Sequence, residues 1–114
     1  MKLAEVMNEL GLREIVLSDD PARLEVAGGY CGDLLSDVMA NAPADCLWFT
    51  IQGHANTVAV AQLKDIAALV LVNGIEPDPQ TVSKARAQQI NVLGSAQTSF
   101  ELCLQYARLN EAAD

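Results

Sequence analysis

His54 is the only imidazole in the chain, and it sits in the stretch Gln52-Gly53-His54-Ala55-Asn56-Thr57. No acidic residue interrupts that stretch. Gly53 permits close backbone approach, His54 and Asn56 are adaptable hydrogen-bonding groups, and Thr57 adds a hydroxyl. Such a set suits an anion such as a phosphate, above all where a helix begins and its first N–H groups lack intrahelical partners. A second uncharged stretch, Gly94-Ser95-Ala96-Gln97-Thr98-Ser99, has the same character, with Ser95 and Thr98 as its hydroxyls. A third, Val72-Asn73-Gly74, stops an apolar run abruptly; Asn-Gly permits a turn with positive φ. The resulting candidate ligand-binding set is Gly53, His54, Asn56, Thr57, Asn73, Gly74, Ser95 and Thr98. Gly-Gly, Asn-Gly and Gly-His also serve as plain turn punctuation.

Catalytic chemistry has thinner support. Cys31 follows two glycines, but no cation lies nearby in sequence to lower its pKa, and Asp33 opposes a thiolate. Asp33 and Asp37 lie four residues apart on one helical face, a spacing that serves a cation site or simply a solvated helix start. Cys31, Cys46 and Cys103 are three in number and widely spaced, which argues against a disulfide framework. With no CxxC pair and one histidine, a zinc or iron–sulfur ligand set is not expected. Neither a phosphate-binding GxxxxGK loop nor a GxGxxG fingerprint occurs. The expectation is a non-enzyme with no cofactor and no metal.

These stretches must be held by something. The 114 residues suffice for one core, and 51% hydrophobic content excludes a disordered chain. Aromatics make up only 4%, so the core is built from Ala, Val, Leu and Ile. The net charge of -8, with no concentration of Lys or Arg, argues against nucleic acid or an anionic membrane as partner. The longest apolar run, residues 66–72, is too short to span a bilayer, and the N-terminal segment reads as an amphipathic helix rather than a signal peptide. A cytoplasmic single domain is expected over residues 1–114.

Periodicity divides the chain as follows. Leu3, Val6, Met7 and Leu10 share a helical face, which Gly11 closes. Strands are expected at residues 13–18 and 23–29, with a turn at 19–22 between them. Asp33 is placed as the N-cap of a helix over 33–42. Residues 46–51 form an uncharged strand, buried on both faces, with Trp48 in the core. A helix over 57–65, a second doubly buried strand over 66–72, a helix from Asp78 with Pro79 at its first position, a strand over 90–95 and a helix over 98–112 capped by Thr98 or Ser99 complete the order. Doubly apolar strands alternating with helices predict an α/β domain with a mostly parallel sheet covered by helices on both faces. Four strand exits, at residues 27–33, 50–56, 71–79 and 93–99, then lie at the strands' carboxyl ends, where ligands of such sheets bind.

The stretch Ala68 to Glu101, "ALVLVNGIEPDPQTVSKARAQQINVLGSAQTSFE", resembles the second half of a DRTGG domain. There a hydrophobic strand ends in Thr-Gly-Gly, a short loop carries Pro before a helix, and a further strand leads to a Thr- or Ser-capped helix. Val72, Asn73 and Gly74 hold the place of the Thr-Gly-Gly, and the turn at Gly53, His54 and Ala55 resembles the earlier Gly-Asp-Arg. The Asp-Arg pair itself is absent. Residues 28–67 resemble small stand-alone members of the family, so the likeness covers nearly the whole chain. It implies a three-layer α/β/α sandwich like the N-terminal domain of HPr kinase. In regulated pyrophosphatases such domains lie beside nucleotide-sensing CBS domains and contribute to dimerisation. The resemblance thus implies a regulatory or ligand-sensing module for a nucleotide or phosphorylated metabolite, working as a homodimer. The other implied role is an accessory partner of a redox enzyme, of the iron-only hydrogenase kind, or of a signalling kinase, with no small ligand. There the acidic surface would steer the chain to a basic partner.

Overall fold

The structure is a computed structural model and describes residues 1–113. Helix α1 (Leu3–Leu10) buries Leu3, Val6 and Leu10 and ends at Gly11, whose φ of 64° places it in the left-handed region. Strand β1 (Arg13–Val16) follows, then β2 (Gly29–Cys31), α2 (Leu35–Asn41), β3 (Leu47–Thr50), α3 (Asn56–Leu63), β4 (Ala68–Leu71), α4 (Pro79–Gln88), β5 (Val92–Gly94) and α5 (Ser99–Ala113). The five strands form one sheet in the order β1-β5-β4-β3-β2. Strands β2 to β5 are mutually parallel, and β1 runs antiparallel to β5.

The period of two along each strand sends alternate side chains into two separate cores. Leu47 and Phe49 of β3, Ala68 and Val70 of β4 and Leu93 of β5 pack with α1 and α5, through Leu3, Val6, Leu10, Leu102 and Tyr106. Trp48, Leu69, Leu71 and Val92 face the other way, onto Val38 of α2, Val58 and Ala61 of α3 and Ala85 of α4. This is the three-layer α/β/α sandwich expected from the doubly apolar strands, and Trp48 is fully buried, as expected. Segment 57–65 is helical despite its valines because Val58, Val60 and Ala61 are buried there against neighbouring elements. Among the described residues, no helix is long and apolar enough to cross a membrane.

Two expectations need correction. Residues 23–29 do not form a strand of the sheet. Glu25 makes an isolated bridge to Lys2, Leu24 accepts from the Leu3 N–H at 2.8 Å, and the Val26 N–H donates to Met1 at 2.9 Å. The N-terminus captures this segment, helped by Glu25, which pairs with the terminal ammonium at 3.0 Å and with Lys2 at 2.8 Å. The edge strand instead begins at Gly29, where the chain aligns with Leu47 of β3. Asp33, for its part, does not cap α2. Leu34 takes the cap position, and the Asp33 carboxylate turns back to accept from Thr50 Oγ1 at 2.8 Å and from the Ile51 N–H at 2.9 Å.

Candidate functional site at the carboxyl edge of the sheet

Because four strands run parallel, their exits share one edge: residues 32–34 after β2, 51–55 after β3, 72–78 after β4 and 95–98 after β5. The antiparallel β1 brings its first residue to the same edge, since Arg13 pairs with Gly94. The sheet therefore assembles the three stretches singled out in the sequence and adds a cation they lack.

The loops after β3 and β4 interlock. The Gly53 carbonyl accepts from Thr81 Oγ1 at 2.7 Å and from the Asp78 N–H at 3.0 Å. A Cβ on Gly53 would stand 3.1 Å from the Glu76 carbonyl oxygen and 3.4 Å from Pro77 Cα, so the missing side chain is what allows this approach. His54 Nδ1 lies 3.1 Å from Asp78 Oδ2, with both side chains largely exposed. Asp78 holds the N-cap position of α4, and Pro79 follows it as expected. Its carboxylate engages His54 rather than the helix amides.

The loops after β4 and β5 interlock in turn. Asn73 and Gly74 both adopt left-handed conformations, with φ of 59° and 67°. This double turn aims the Asn73 N–H at the Gln97 carbonyl and the Gly74 N–H at the Ser95 carbonyl, each at 2.8 Å. Ser95 Oγ accepts from the Gln97 N–H at 3.1 Å. Thr98 caps α5 in a reciprocal box: its Oγ1 accepts from the Glu101 N–H at 3.2 Å, and Glu101 Oε1 accepts from the Thr98 N–H at 3.1 Å. Those bonds hold the Glu101 carboxyl below its ordinary value.

Not every candidate faces outward. Thr57 is fully buried and its hydroxyl donates to the His54 carbonyl at 2.7 Å, so it shapes the turn into α3. Ser95 and Thr98 likewise have hydroxyls engaged within the loop. His54, Asn56, Asn73, Gly74 and Thr98 are exposed, and Gly53 and Ser95 are half-buried. Asp33 and Asp37 do not converge on a cation: Asp37 accepts from the Tyr30 hydroxyl and from Asn41 Nδ2, while Asp33 binds Thr50 and Ile51.

Sequence reasoning missed Arg13. Its guanidinium donates to Glu76 Oε1 at 2.8 Å and so reaches the loop after β4 from 63 residues away in the sequence. Only the antiparallel register of β1 places it there, and no local pattern marks that register. The electrostatic result is specific. Glu76 is matched by Arg13 and Asp78 by His54, while α3 begins with no side-chain cap and no acid in its first turn. The positive pole of α3 is therefore the one helix start at this edge, among those of α2 to α5, with no carboxylate in its first turn or at its cap.

No family model matches the sequence, and no curated protein matches it. Among solved structures, the chain is similar to the crystal structure of the CBS and DRTGG domains of the regulatory region of Clostridium perfringens pyrophosphatase, complexed with its activator diadenosine tetraphosphate. The TM-score is 0.70 at 11% identity, over 89% of this chain and 44% of that one. The chain thus spans less than half the length of that structure. The fold likeness agrees with the resemblance read from the sequence: this chain has a DRTGG-like fold.

Proposed function

We propose that the chain is a non-catalytic regulatory module that binds a nucleotide or phosphorylated metabolite at the carboxyl edge of its sheet. The observation that carries this reading is the α3 start, free of acids and caps, flanked by His54 and by Arg13 across the 72–78 loop. Arg13 is held in an exposed ion pair and His54 in an exposed hydrogen-bonding contact with Asp78, contacts worth about 0–1 kcal/mol each. A phosphate can displace Glu76 from Arg13 and Asp78 from His54 at little cost, because it offers more charge and more acceptor oxygens than a carboxylate. The exposed Asn56 supplies a polar contact at the first turn of α3. The DRTGG-like fold supports a sensing role, since the similar pyrophosphatase region was crystallised with a dinucleotide activator.

The module works as a homodimer in this reading. Phe100 is 77% exposed on α5 with Leu104 one turn on, an apolar pair suited to a second chain. Light scattering showing a monomer at high concentration would remove this part of the reading.

The test is a thermal-shift screen with ATP, diadenosine tetraphosphate and inorganic tripolyphosphate, with and without Mg²⁺. A ligand at 100 times its Kd adds about 2.7 kcal/mol, a shift of several degrees in a chain of this size. The shift should shrink in Arg13→Ala, His54→Ala and Asn56→Ala, and the nucleotide should be recovered unchanged. A flat screen at millimolar ligand would instead favour an accessory role beside a redox enzyme or kinase.

A further inference from the structure

The three thiols take no part in the loop contacts described above. Cys46 is fully buried in the core beneath α2 and α3, and burial pushes its thiol up to about 11. Cys31 and Cys103 differ. Cys31 ends the edge strand β2 and is exposed; Cys103 lies one turn into α5 and is partly exposed. Both line one cleft of about 350 Å³ between β2 and α5, together with Gly29, Phe49, Tyr106 and Asn110. Gly29 brings the two elements close: a Cβ there would stand 3.3 Å from the Phe49 ring and 3.5 Å from that of Tyr106. The Cys103 thiol is pushed up to about 11, by burial first and then by the neighbouring Cys31 sulfur.

We propose that Cys31 and Cys103 form a modification site that closes to a disulfide by exchange with a low-molecular-weight disulfide, joining β2 to α5. Exposure gives the roles. The Cys31 thiolate attacks one sulfur of RS–SR, forming a mixed disulfide and releasing RS⁻. Cys103 loses its proton, its sulfur attacks Cys31 Sγ, and the second RS⁻ leaves. The two protons of the protein thiols end on the two released RSH molecules. Two protein thiols are oxidised and one small disulfide is reduced, so electrons and protons balance. Cys103, partly buried beside its partner and largely protonated, is suited to the resolving step rather than to first attack. Cys46 packs on the opposite face of the sheet and takes no part.

The test is intact-mass analysis of the reduced protein after incubation with oxidised glutathione. The wild type should lose two hydrogens and retain one free thiol of its three. Cys103→Ser should stop at a glutathione adduct on Cys31, and Cys31→Ser should remain reduced, while Cys46→Ala should behave as the wild type. A stable adduct on the wild type, a disulfide-linked dimer or an unreacted wild type would each overturn the proposal. The readout is covalent and ligand-free, so it fails or succeeds independently of the nucleotide reading.

Discussion

The two edges of the sheet use the same backbone device to opposite effect. At the amino edge, the turns from α2, α3 and α4 into the following strands each contain a non-glycine residue in the left-handed region: Asp45, Asp65 and Gln89. At the carboxyl edge, Asn73 and Gly74 do the same after β4. The charges differ. The amino edge gathers Asp19, Asp45 and Asp65 around a cleft of about 300 Å³, which the carboxyl ends of α3 and α4 also line. These carboxylates and helix ends oppose an anion, against the single charges of Lys64 after α3 and Arg86 in the last turn of α4. The carboxyl edge also carries acids, but Glu76 is paired with Arg13 and Asp78 with His54, and the helix amino poles lie on this side. The amino cleft is concave, but its three carboxylates oppose a phosphate there.

The comparison predicts that the amino edge governs stability while the carboxyl edge governs binding. The largest effect should come from Asn91, which is 2% exposed and anchors the amino edge. Its Oδ1 accepts from the Ser18 and Asp19 N–H groups at 2.8 and 3.2 Å, and its Nδ2 donates to the Ala67 carbonyl at 2.9 Å. Asn91→Ala strands several part-buried groups and should cost about 2–3 kcal/mol in urea unfolding. Nucleotide affinity should not change; if it falls in step with stability, the two edges are not separable. Gly53→Ala should cost about 1–2 kcal/mol, because backbone of the 72–78 loop must move aside. Unlike Asn91→Ala, it should also weaken the nucleotide-induced thermal shift. Asn73→Val should cost about 1–2 kcal/mol through its positive φ, and Asn73→Gly should restore that loss. Thr81→Val removes the 2.7 Å bond to the Gly53 carbonyl and should cost about 1 kcal/mol, again with weakened binding.

The smallest effect concerns pH. The Glu101 carboxyl sits below its ordinary value of 4.5 because of its bonds to the Thr98 N–H and hydroxyl. A depressed folded-state value means that its contribution is fully present above 4.5 and is lost as pH falls through the folded pKa. Glu101→Gln should therefore flatten the acid limb of the stability profile and change little at neutral pH, as read from denaturant midpoints.

Much of this frame was legible in the sequence. Strands β3 and β4 announce themselves because every residue is apolar or small enough to bury on both faces. Gly11, Pro79 and Thr98 act as expected because caps and helix starts depend on local backbone chemistry. The misreadings share a physical cause. Strand β2 is short, begins with glycine and owes its position to β3, so no alternation marks it. Segment 23–29 does alternate, yet it binds the N-terminus, a partner distant in sequence. Asp33 is a residue type suited to a cap, but its carboxylate finds its donors in Thr50 and Ile51 across the loops. Arg13 became part of the candidate site only through β1 pairing with β5. Among the candidates named in advance, Gly53 is explained by loop packing and Asn73 and Gly74 by their left-handed turn, whereas Asn56 and His54, the latter in contact with Asp78, are exposed.

The most direct measurement is amide chemical-shift mapping on the labelled protein during titration with diadenosine tetraphosphate or ATP. Saturable shifts should cluster at residues 52–57 and 73–78 and extend to Arg13, while the amides around Asp45, Asp65 and Gln89 stay still. Shifts centred on the amino cleft, or none at millimolar nucleotide, would contradict a phosphate site at the carboxyl edge.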